Sequence, residues 1–238
     1  MSLRPYQSGA VEKLRSSLAR GLKRVCLYSP TGSGKTEIIV ALVQGALAKG
    51  KRVAILANRV HLCQGIIERF DRYGIQYGVL QGGNTRHIHL PVIVGSINTI
   101  DKRGLADCDL IIIDEAHGIT KSILKIVETM REGNKNVRVI GMSASPYRTG
   151  EGYIYREHYL HGTVREDLRR ENPFFHSLIY TIDARILIER GYLAKPNLGI
   201  VAEHYDTSGL VKNKMGKWDE KTVDAAFVGR GRLTSQIV

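Results

Sequence analysis

The fold is decided by one stretch of the chain, Ser29-Pro30-Thr31-Gly32-Ser33-Gly34-Lys35-Thr36. An apolar run at 25–28 precedes it and another at 38–43 follows it. That order predicts a buried strand, a tight loop and a buried helix, which is the setting that a phosphate-binding loop requires. The alternative interpretation, a glycine-rich turn with a solvated lysine, is disfavoured by this context.

Each residue type in this stretch has a physical reason to be there. Gly32 and Gly34 let the backbone turn with its N–H groups pointing inward, and the helix N-terminus adds partial positive charge. Lys35 can then reach the β- and γ-phosphates of a nucleotide, and the Thr36 hydroxyl can bind Mg²⁺. Ser29 departs from the general pattern, which has a glycine at that position. The remaining Gly-x-Gly-Lys-Thr still predicts a nucleotide-binding loop.

A second motif, Asp114-Glu115-Ala116-His117, directly follows the most hydrophobic run in the chain, at 110–113. An acidic residue at the end of a buried strand beside a phosphate loop can hold Mg²⁺, usually through water. A second carboxylate one position later can take the proton from an attacking water. We therefore predict Asp114 as the metal-side residue and Glu115 as the general base. Judged alone, the motif could equally be a polar strand end, but hydrolysis requires both motifs together.

Further apolar runs alternate with segments of helical periodicity. Helices are predicted at about 4–20, 60–72, 120–131 and 183–191, and strands at about 53–57, 77–80, 92–94, 137–142 and 198–202. Strands that are continuous apolar runs, spaced by helices, indicate an α/β fold with a mostly parallel central sheet and helices on both faces. Ligands bind such sheets at the carboxyl ends of the strands, where the nucleotide loop, Asp114 and Ser143 all fall.

The composition is that of a basic globular chain. Apolar residues make up 43% and charged residues 24% of the 238 residues, and the formal net charge is +12. Such an excess of positive charge favours a polyanionic partner, most simply nucleic acid. A generally basic surface without such a partner is the alternative.

The three cysteines, Cys26, Cys63 and Cys108, are scattered in apolar surroundings, without a CxxC or Cys/His cluster. We interpret them as small core residues in a reducing compartment and expect no zinc or iron–sulfur site. The N-terminus lacks the apolar core of a signal peptide. No apolar run approaches the ~18 residues that a membrane span needs. We therefore expect a cytoplasmic protein without a membrane partner.

Several motifs, in this order along the chain, resemble those of superfamily 2 helicases. The stretch 29–36, the Asp-Glu-Ala-His at 114–117 and Ser143-Ala144-Ser145-Pro146 resemble motifs I, II and III of that family. The N-terminal Leu3-Arg4-Pro5-Tyr6-Gln7 resembles the family's adenine-reading segment. The segment at 58–64 resembles motif Ia, and the segment at 94–99 resembles the next nucleic-acid-contacting motif.

The segment at 187–196 resembles one that is common in DEAH-type DNA helicases, which include the xeroderma pigmentosum B-type and phage branch-migration enzymes. In all, the resemblance covers roughly residues 3–200. It implies that 1–203 form the N-terminal RecA-like, ATP-binding lobe of a DEAD/DEAH-box helicase. ATP and Mg²⁺ are the implied cofactors, and nucleic acid is the implied partner.

The resemblance also implies roles for individual residues. The implied nucleotide-binding residues are Arg4, Gln7, Pro30, Thr31, Gly32, Ser33, Gly34, Lys35 and Thr36. The implied catalytic residues are Lys35, Asp114, Glu115 and His117, with Thr36 and Asp114 on the metal side. The residues implied to contact nucleic acid are Arg59, Gln64 and Thr99, while His117, Ser143 and Ser145 would couple the nucleotide state to the grip on nucleic acid.

Helicases of this superfamily have a second RecA-like lobe, which supplies an arginine finger worth about 10³–10⁵ in rate. Nothing after residue 201 resembles that lobe. We therefore expect 204–238 to be a linker towards a second lobe that is missing from this chain. We also expect the chain alone to hydrolyse ATP weakly and not to unwind nucleic acid.

Three other functions stay open at the level of sequence. The first is an RNA helicase lobe, because DNA is favoured over RNA only by the relatives that two short segments resemble. The second is a non-catalytic nucleic-acid-binding or regulatory module with the same fold. The third is an unrelated P-loop NTPase such as a small-molecule kinase, which leaves Asp-Glu-Ala-His unexplained.

Overall fold

The computed structural model describes residues 3–148, 151–158, 162–163, 172–196, 208–211 and 218–227. The chain divides into two compact units, 1–194 and 195–238. The predicted strand at 198–202 and the predicted boundary at 203/204 fall outside the described residues, so both stay predictions.

The described residues form helices and strands in alternation. The helices are α1 Pro5–Ala19, α2 Lys35–Leu47, α3 Val60–Arg72, α4 Ile97–Arg103, α5 Lys121–Gly133, α6 Ala184–Glu189 and α7 Glu220–Phe227. The strands are β1 Arg24–Tyr28, β2 Val53–Ala57, β3 Gly78–Leu80, β4 Thr85–Arg86, β5 Val92–Ser96, β6 Leu110–Ile113, β7 Arg138–Ser143, β8 Tyr147–Arg148, β9 Gly152–Tyr153, β10 Tyr155–His158, β11 Gly162–Thr163 and β12 Phe175–Tyr180. A 3₁₀ turn, Ala116–Gly118, follows β6.

Ten strands form one sheet in the order β11-β10-β12-β1-β7-β6-β2-β5-β3-β4. Every neighbouring pair from β10 to β3 is parallel, and the antiparallel pairs are those that the outermost strands β11 and β4 make. The carboxyl ends of β1, β7 and β6 therefore lie side by side at one edge. This arrangement confirms the predicted α/β fold with a mostly parallel sheet.

Each face of the sheet carries its own apolar core. Alternate residues of the buried strands belong to different clusters, so that Val25 and Leu27 of β1 face one layer and Cys26 faces the other. Helices α1, α2 and α3 cover the first face, and α4 and α5 cover the second. Burial on both faces is the reason that these strands are continuous apolar runs in the sequence. All three cysteines are buried and free, and burial raises the pKa of the Cys108 thiol to about 12.

Strand β12 was not predicted, although it pairs with β1, the strand that leads into the nucleotide loop. Its sequence is Phe-His-Ser-Leu-Ile-Tyr, in which the polar residues His176 and Ser177 interrupt the apolar run. The strand also follows a stretch without clear periodicity. The short helix α4 was also missed, because it begins directly where β5 ends. Both elements are set by tertiary packing more than by local pattern.

The second unit, described at 195–196, 208–211 and 218–227, contains α7. Asp219 lies before this helix, and its Oδ1 accepts hydrogen bonds from the backbone N–H groups of Lys221 and Thr222, at 3.1 and 3.3 Å. A carboxylate that accepts from the first free N–H groups is a typical helix N-cap. Among the described residues, no helix is both long and apolar enough to cross a membrane.

Candidate functional site

The nucleotide loop joins β1 to α2 and is fixed by its own hydrogen bonds. The Ser29 backbone N–H donates to the Ser143 carbonyl at 3.0 Å, which ties the loop to β7. The hydroxyls of Ser29 and Ser33 are fully buried and lie 2.6 Å apart, and the Ser33 hydroxyl donates to the Pro30 carbonyl at 2.5 Å. Ser29, which departs from the general glycine pattern, is thus an internal brace of the loop.

The two glycines of the loop are favoured by the backbone conformation and lie against neighbouring side chains. Gly32 has a φ of 77° and Gly34 has a φ of 82°, in the left-handed region that favours glycine. A Cβ atom on Gly32 would collide with the Leu193 side chain, and one on Gly34 would collide with the side-chain amide of Gln7. The left-handed backbone therefore favours glycine at both positions, and a side chain at either would also displace Leu193 or Gln7.

The predicted catalytic residues Lys35 and Glu115 form an ion pair between Lys35 Nζ and Glu115 Oε1. The side chains are 15% and 29% exposed, so the pair is partly shielded from water. Glu115 itself has a φ of 51°, which strains a residue with a side chain. Backbone strain of this kind is concentrated at functional sites, where the surrounding structure holds the residue in place.

Asp114 lies beside this pair and is 9% exposed. Its backbone N–H donates to the Leu56 carbonyl at 2.9 Å, and its Oδ1 accepts from the Glu115 N–H at 3.0 Å. Burial raises the pKa of Asp114, and the neighbouring Glu115 charge adds to this effect while Lys35 opposes it. A buried carboxylate whose charged form is destabilised gains most from a cation nearby.

The predicted metal-side residues fit a hard divalent cation. Mg²⁺ prefers oxygen ligands and is usually held by one or two protein groups together with phosphates and water. Asp114 offers a carboxylate and Thr36, in the first turn of α2, offers a hydroxyl. Among the described residues, no group of three or more His, Cys, Asp and Glu side chains could hold a metal ion.

His117 links the catalytic motif to the segment after β7. Its Nδ1 lies 3.3 Å from Glu115 Oε2 and 3.3 Å from the Ser143 hydroxyl. The Ser143 hydroxyl in turn accepts from the Ser145 N–H at 3.0 Å, while the Ser143 carbonyl accepts from Ser29. The three predicted coupling residues are therefore in one hydrogen-bonded network with the nucleotide loop, and their coupling role stays a prediction.

The N-terminal segment is bonded to the same loop. The Gln7 side chain is buried; its Oε1 accepts from the Arg4 N–H at 2.9 Å and its Nε2 donates to the Ser33 carbonyl at 3.0 Å. The Tyr6 hydroxyl also donates to the Ser33 carbonyl, at 2.8 Å. Sequence reasoning singled out Arg4 and Gln7 and missed Tyr6, although Tyr6 lies between them in the quoted segment.

The residues predicted to contact nucleic acid fall into two groups. Arg59 and Gln64 are exposed at the start of α3, and Gln64 Nε2 donates to Glu68 Oε1 at 3.2 Å. Thr99 is 9% exposed in α4, and its hydroxyl lies 2.8 Å from the Ser96 hydroxyl. All of them follow the carboxyl ends of the paired strands β2 and β5. Only the first group offers side chains to a ligand without rearrangement.

Comparison with known proteins gives a consistent result. The family described as "Type III restriction enzyme, res subunit" matches residues 1–148. The replication restart protein PriA of Bacillus subtilis is 32% identical over 130 residues, which are 49% of this chain and 16% of PriA. The UvsW helicase of bacteriophage T4 has a TM-score of 0.56 and 21% identity, over 76% of this chain and 60% of that one. The Hef helicase domain of Pyrococcus furiosus has a TM-score of 0.51 and 28% identity, over 63% of this chain and 34% of that one.

The chain thus spans less than a fifth of PriA and less than two thirds of the UvsW chain. The match to the family extends from the N-terminus past the motifs at 29–36, 114–117 and 143–146. The structural likeness to UvsW concerns the fold, and it confirms the RecA-like architecture that the sequence predicts.

Proposed function

Because the chain belongs to the family of the type III restriction enzyme res subunit and forms the RecA-like lobe of a superfamily 2 helicase, we propose that it binds and hydrolyses ATP to drive movement on, or unwinding of, DNA. A cytoplasmic location is part of this proposal. So is a second RecA-like lobe, which would complete the ATPase site and without which hydrolysis is weak.

The observation that carries the proposal is the pairing of Lys35 with Glu115 beside Asp114. On nucleotide binding, Lys35 exchanges this carboxylate for phosphate oxygens, since both are anionic acceptors of comparable geometry. The Glu115 carboxylate is then available to accept the proton of a water aligned with the γ-phosphate. Thr36 and Asp114 would hold Mg²⁺, which would neutralise charge at the phosphates. One ion pair thereby keeps the base in place until nucleotide arrives.

The proposal that the partner is DNA rests on the positive charge of the chain and on its similarity to PriA. The formal net charge of +12 favours a polyanion. Arg59 and Gln64 are exposed after β2, where phosphate contacts are expected from the family. PriA is named a replication restart protein, which favours DNA over RNA. Since contacts to phosphate carry little base information, binding is expected to show weak sequence preference and a strong salt dependence.

The test is the ATPase activity of the intact polypeptide with and without DNA, compared between the unaltered protein and Lys35→Ala. We expect DNA to stimulate hydrolysis and Lys35→Ala to lower it by about 10²-fold or more, because one transition-state cation is lost. Lys49→Ala is the matched control, since Lys49 is an exposed lysine after the far end of α2, and it should leave the rate unchanged.

Three outcomes would overturn all or part of the proposal. Hydrolysis that persists in Lys35→Ala would show that the nucleotide loop is not catalytic. Unaltered DNA binding without any nucleotide hydrolysis, even in the presence of a second lobe, would favour the non-catalytic binding module. Stimulation by RNA and not by DNA would assign the lobe to an RNA helicase.

A further inference from the structure

The segment after α6 is held in a fixed position at the edge of the nucleotide loop. Gly191, with a φ of 68°, ends the helix, and the N–H groups of Tyr192 and Leu193 both donate to the Leu187 carbonyl, at 2.8 and 3.2 Å. Leu187 is fully buried. A left-handed glycine followed by N–H groups that bond back into the last turn is the ordinary way to fix a helix C-terminus. The backbone that carries Tyr192 is therefore anchored.

Leu193 places this segment directly at the phosphate cradle. Its side chain lies against Gly32 so closely that a Cβ atom on the glycine would displace it. The neighbouring residue Tyr192 is 41% exposed, so one side of its ring remains open to other groups. The segment thus brings an exposed ring next to the place where phosphates are expected to bind.

The ring of Tyr192 supports the guanidinium of Arg4. The Arg4 Cζ atom lies 4.0 Å from the ring centroid, which is a cation–π contact. On its edge, Arg4 Nη1 donates to the Tyr6 hydroxyl at 3.2 Å, and that hydroxyl is bonded to the Ser33 carbonyl of the loop. One face and one edge of the guanidinium are thereby fixed, while Arg4 as a whole is exposed.

The separation between Arg4 and Tyr192 also decides where a base can stack. A distance of 4.0 Å is van der Waals contact, so no ring fits between the two groups. A base must stack on the outer face of the guanidinium. Gln7, three residues on, has used one of its two N–H donors and one of its two lone pairs inside the protein. The remaining donor and acceptor match the paired N7 and N6 groups of adenine.

We propose that Tyr192 is a positioning residue of the nucleotide site, whose ring holds Arg4 flat so that an adenine base can stack on the opposite face of the guanidinium. The inference rests on the proposed function, because it assumes that a nucleotide occupies the loop. It adds to that function a residue that follows β12, the last strand among the described residues. Tyr192 acts on the base and not on the phosphates.

The experiment measures binding of Mg²⁺–ADP and of Mg²⁺–pyrophosphate to the intact polypeptide by calorimetry. Tyr192→Ala is expected to weaken ADP binding by about tenfold, because Arg4 loses the support that orients it for stacking. Pyrophosphate binding should be unchanged, since it uses the loop alone. Tyr192→Phe keeps the ring and should keep the affinity for ADP within about twofold.

A double-variant cycle tests whether Tyr192 works through Arg4. In the Arg4→Ala background, Tyr192→Ala should produce no further loss of ADP affinity. Additive losses would overturn the positioning role, as would an equal loss of ADP and pyrophosphate binding or no loss at all. The inference shares only nucleotide binding with the proposed function, so normal ADP binding without DNA-stimulated ATPase activity would contradict the proposed hydrolysis and not the role of Tyr192.

Discussion

The two ends of strand β6 show opposite ways of treating a carboxylate. Asp109, at the amino end, accepts hydrogen bonds from the Arg52 N–H at 2.9 Å and from Lys51 Nζ at 3.0 Å. Asp114, at the carboxyl end, is nearly buried and is followed by the strained backbone of Glu115. The Asp109 carboxylate at the start of the strand thus stabilises the fold through its partners. Burial of the Asp114 carboxylate at the end of the strand costs free energy of folding.

The pKa values of the two groups move in opposite directions. Burial acts to raise the pKa of Asp109, but the Arg52 N–H and the Lys51 ammonium outweigh it and hold the pKa below its usual value. For Asp114, burial dominates and raises the pKa. Functional sites commonly break the local rules that stabilise the rest of a domain. This contrast is the one expected if the carboxyl edge of the sheet binds a ligand and the amino edge serves stability alone.

Gly34→Ala is the change expected to damage the carboxyl edge most. It places a Cβ atom on a left-handed residue, at about 1–2 kcal/mol for the backbone alone. The added atom also meets the Gln7 amide. We expect the affinity for Mg²⁺–ADP, measured by calorimetry, to fall by about 100-fold or beyond detection, because the N–H cradle must reorganise.

Gly65→Ala is the matched control for that change. Gly65 lies inside α3, and a Cβ atom there meets nothing within 4 Å. The variant should be more stable by about 0.5–1 kcal/mol in denaturant unfolding, because alanine is favoured over glycine in a helix. It should bind ADP normally. An ADP affinity of Gly34→Ala within about twofold of the parent would contradict the assignment of the loop.

Arg59→Ala tests an exposed side chain at the carboxyl edge of the sheet, which no hydrogen bond among the described residues holds in place. Arg59 is exposed and has no hydrogen bond from its side chain among those of the described residues. We expect DNA affinity to fall by about three- to tenfold and the salt dependence to lose about one ion, since one phosphate contact is removed. Fluorescence anisotropy at several salt concentrations measures both, and ADP binding should be unaffected.

Arg72→Ala provides the comparison on the same helix. Arg72 is also exposed, but it lies in the last turn of α3, roughly 18 Å of helix away from Arg59. Its removal should change DNA affinity by less than about twofold. Equal losses in the two variants would mean that DNA responds to overall charge, and the predicted contact at Arg59 would be wrong.

The sequence predicts the centre of this molecule better than its periphery. Apolar runs as pure as the Ile-rich β6 can be satisfied only by burial on both faces, so the parallel sheet and the loop at its edge followed directly. The brace between Ser29 and Ser33 could not be predicted, because it depends on two hydroxyls meeting across a turn. The sequence shows that Ser29 stands where the general pattern has glycine, but it does not show which contact the serine makes.

Contacts between distant segments explain the rest of what was missed. Strand β12 has polar residues at His176 and Ser177, so only its pairing with β1 makes it a strand. Tyr192 lies more than 180 residues from Arg4, and no local period connects them. Family resemblance marked the segment 187–196 without giving it a role. The geometry of the fold is needed to bring that segment to the nucleotide loop.

The smallest expected effect is on the free energy of unfolding, and it tests the contrast between Asp109 and Asp114 at the two ends of β6 directly. Asp114 ionises less readily in the folded chain than in the unfolded chain, so its contribution to stability is lost as the pH rises through the folded-state pKa. Asp114→Asn cannot ionise, so the variant does not lose this stability as the pH rises. Near neutral pH we expect a gain of about 1 kcal/mol, which raises the Tm by roughly 2–4 °C for a chain of this length.

Asp109→Asn should behave in the opposite way. Its lowered pKa means that stability is present above the unfolded-state pKa and is lost as the pH falls through the folded-state value. At neutral pH the variant should therefore be less stable, by up to about 1 kcal/mol because the Lys51 partner is exposed. The Asp114 difference should shrink as the pH falls below the unfolded-state pKa of about 4, whereas the Asp109 difference should disappear only when the pH falls below the lowered folded-state pKa of that group. Thermal melts of the nucleotide-free protein across this pH range decide the matter: a destabilised Asp114→Asn would mean that this carboxylate supports the fold, and that the two ends of β6 are alike.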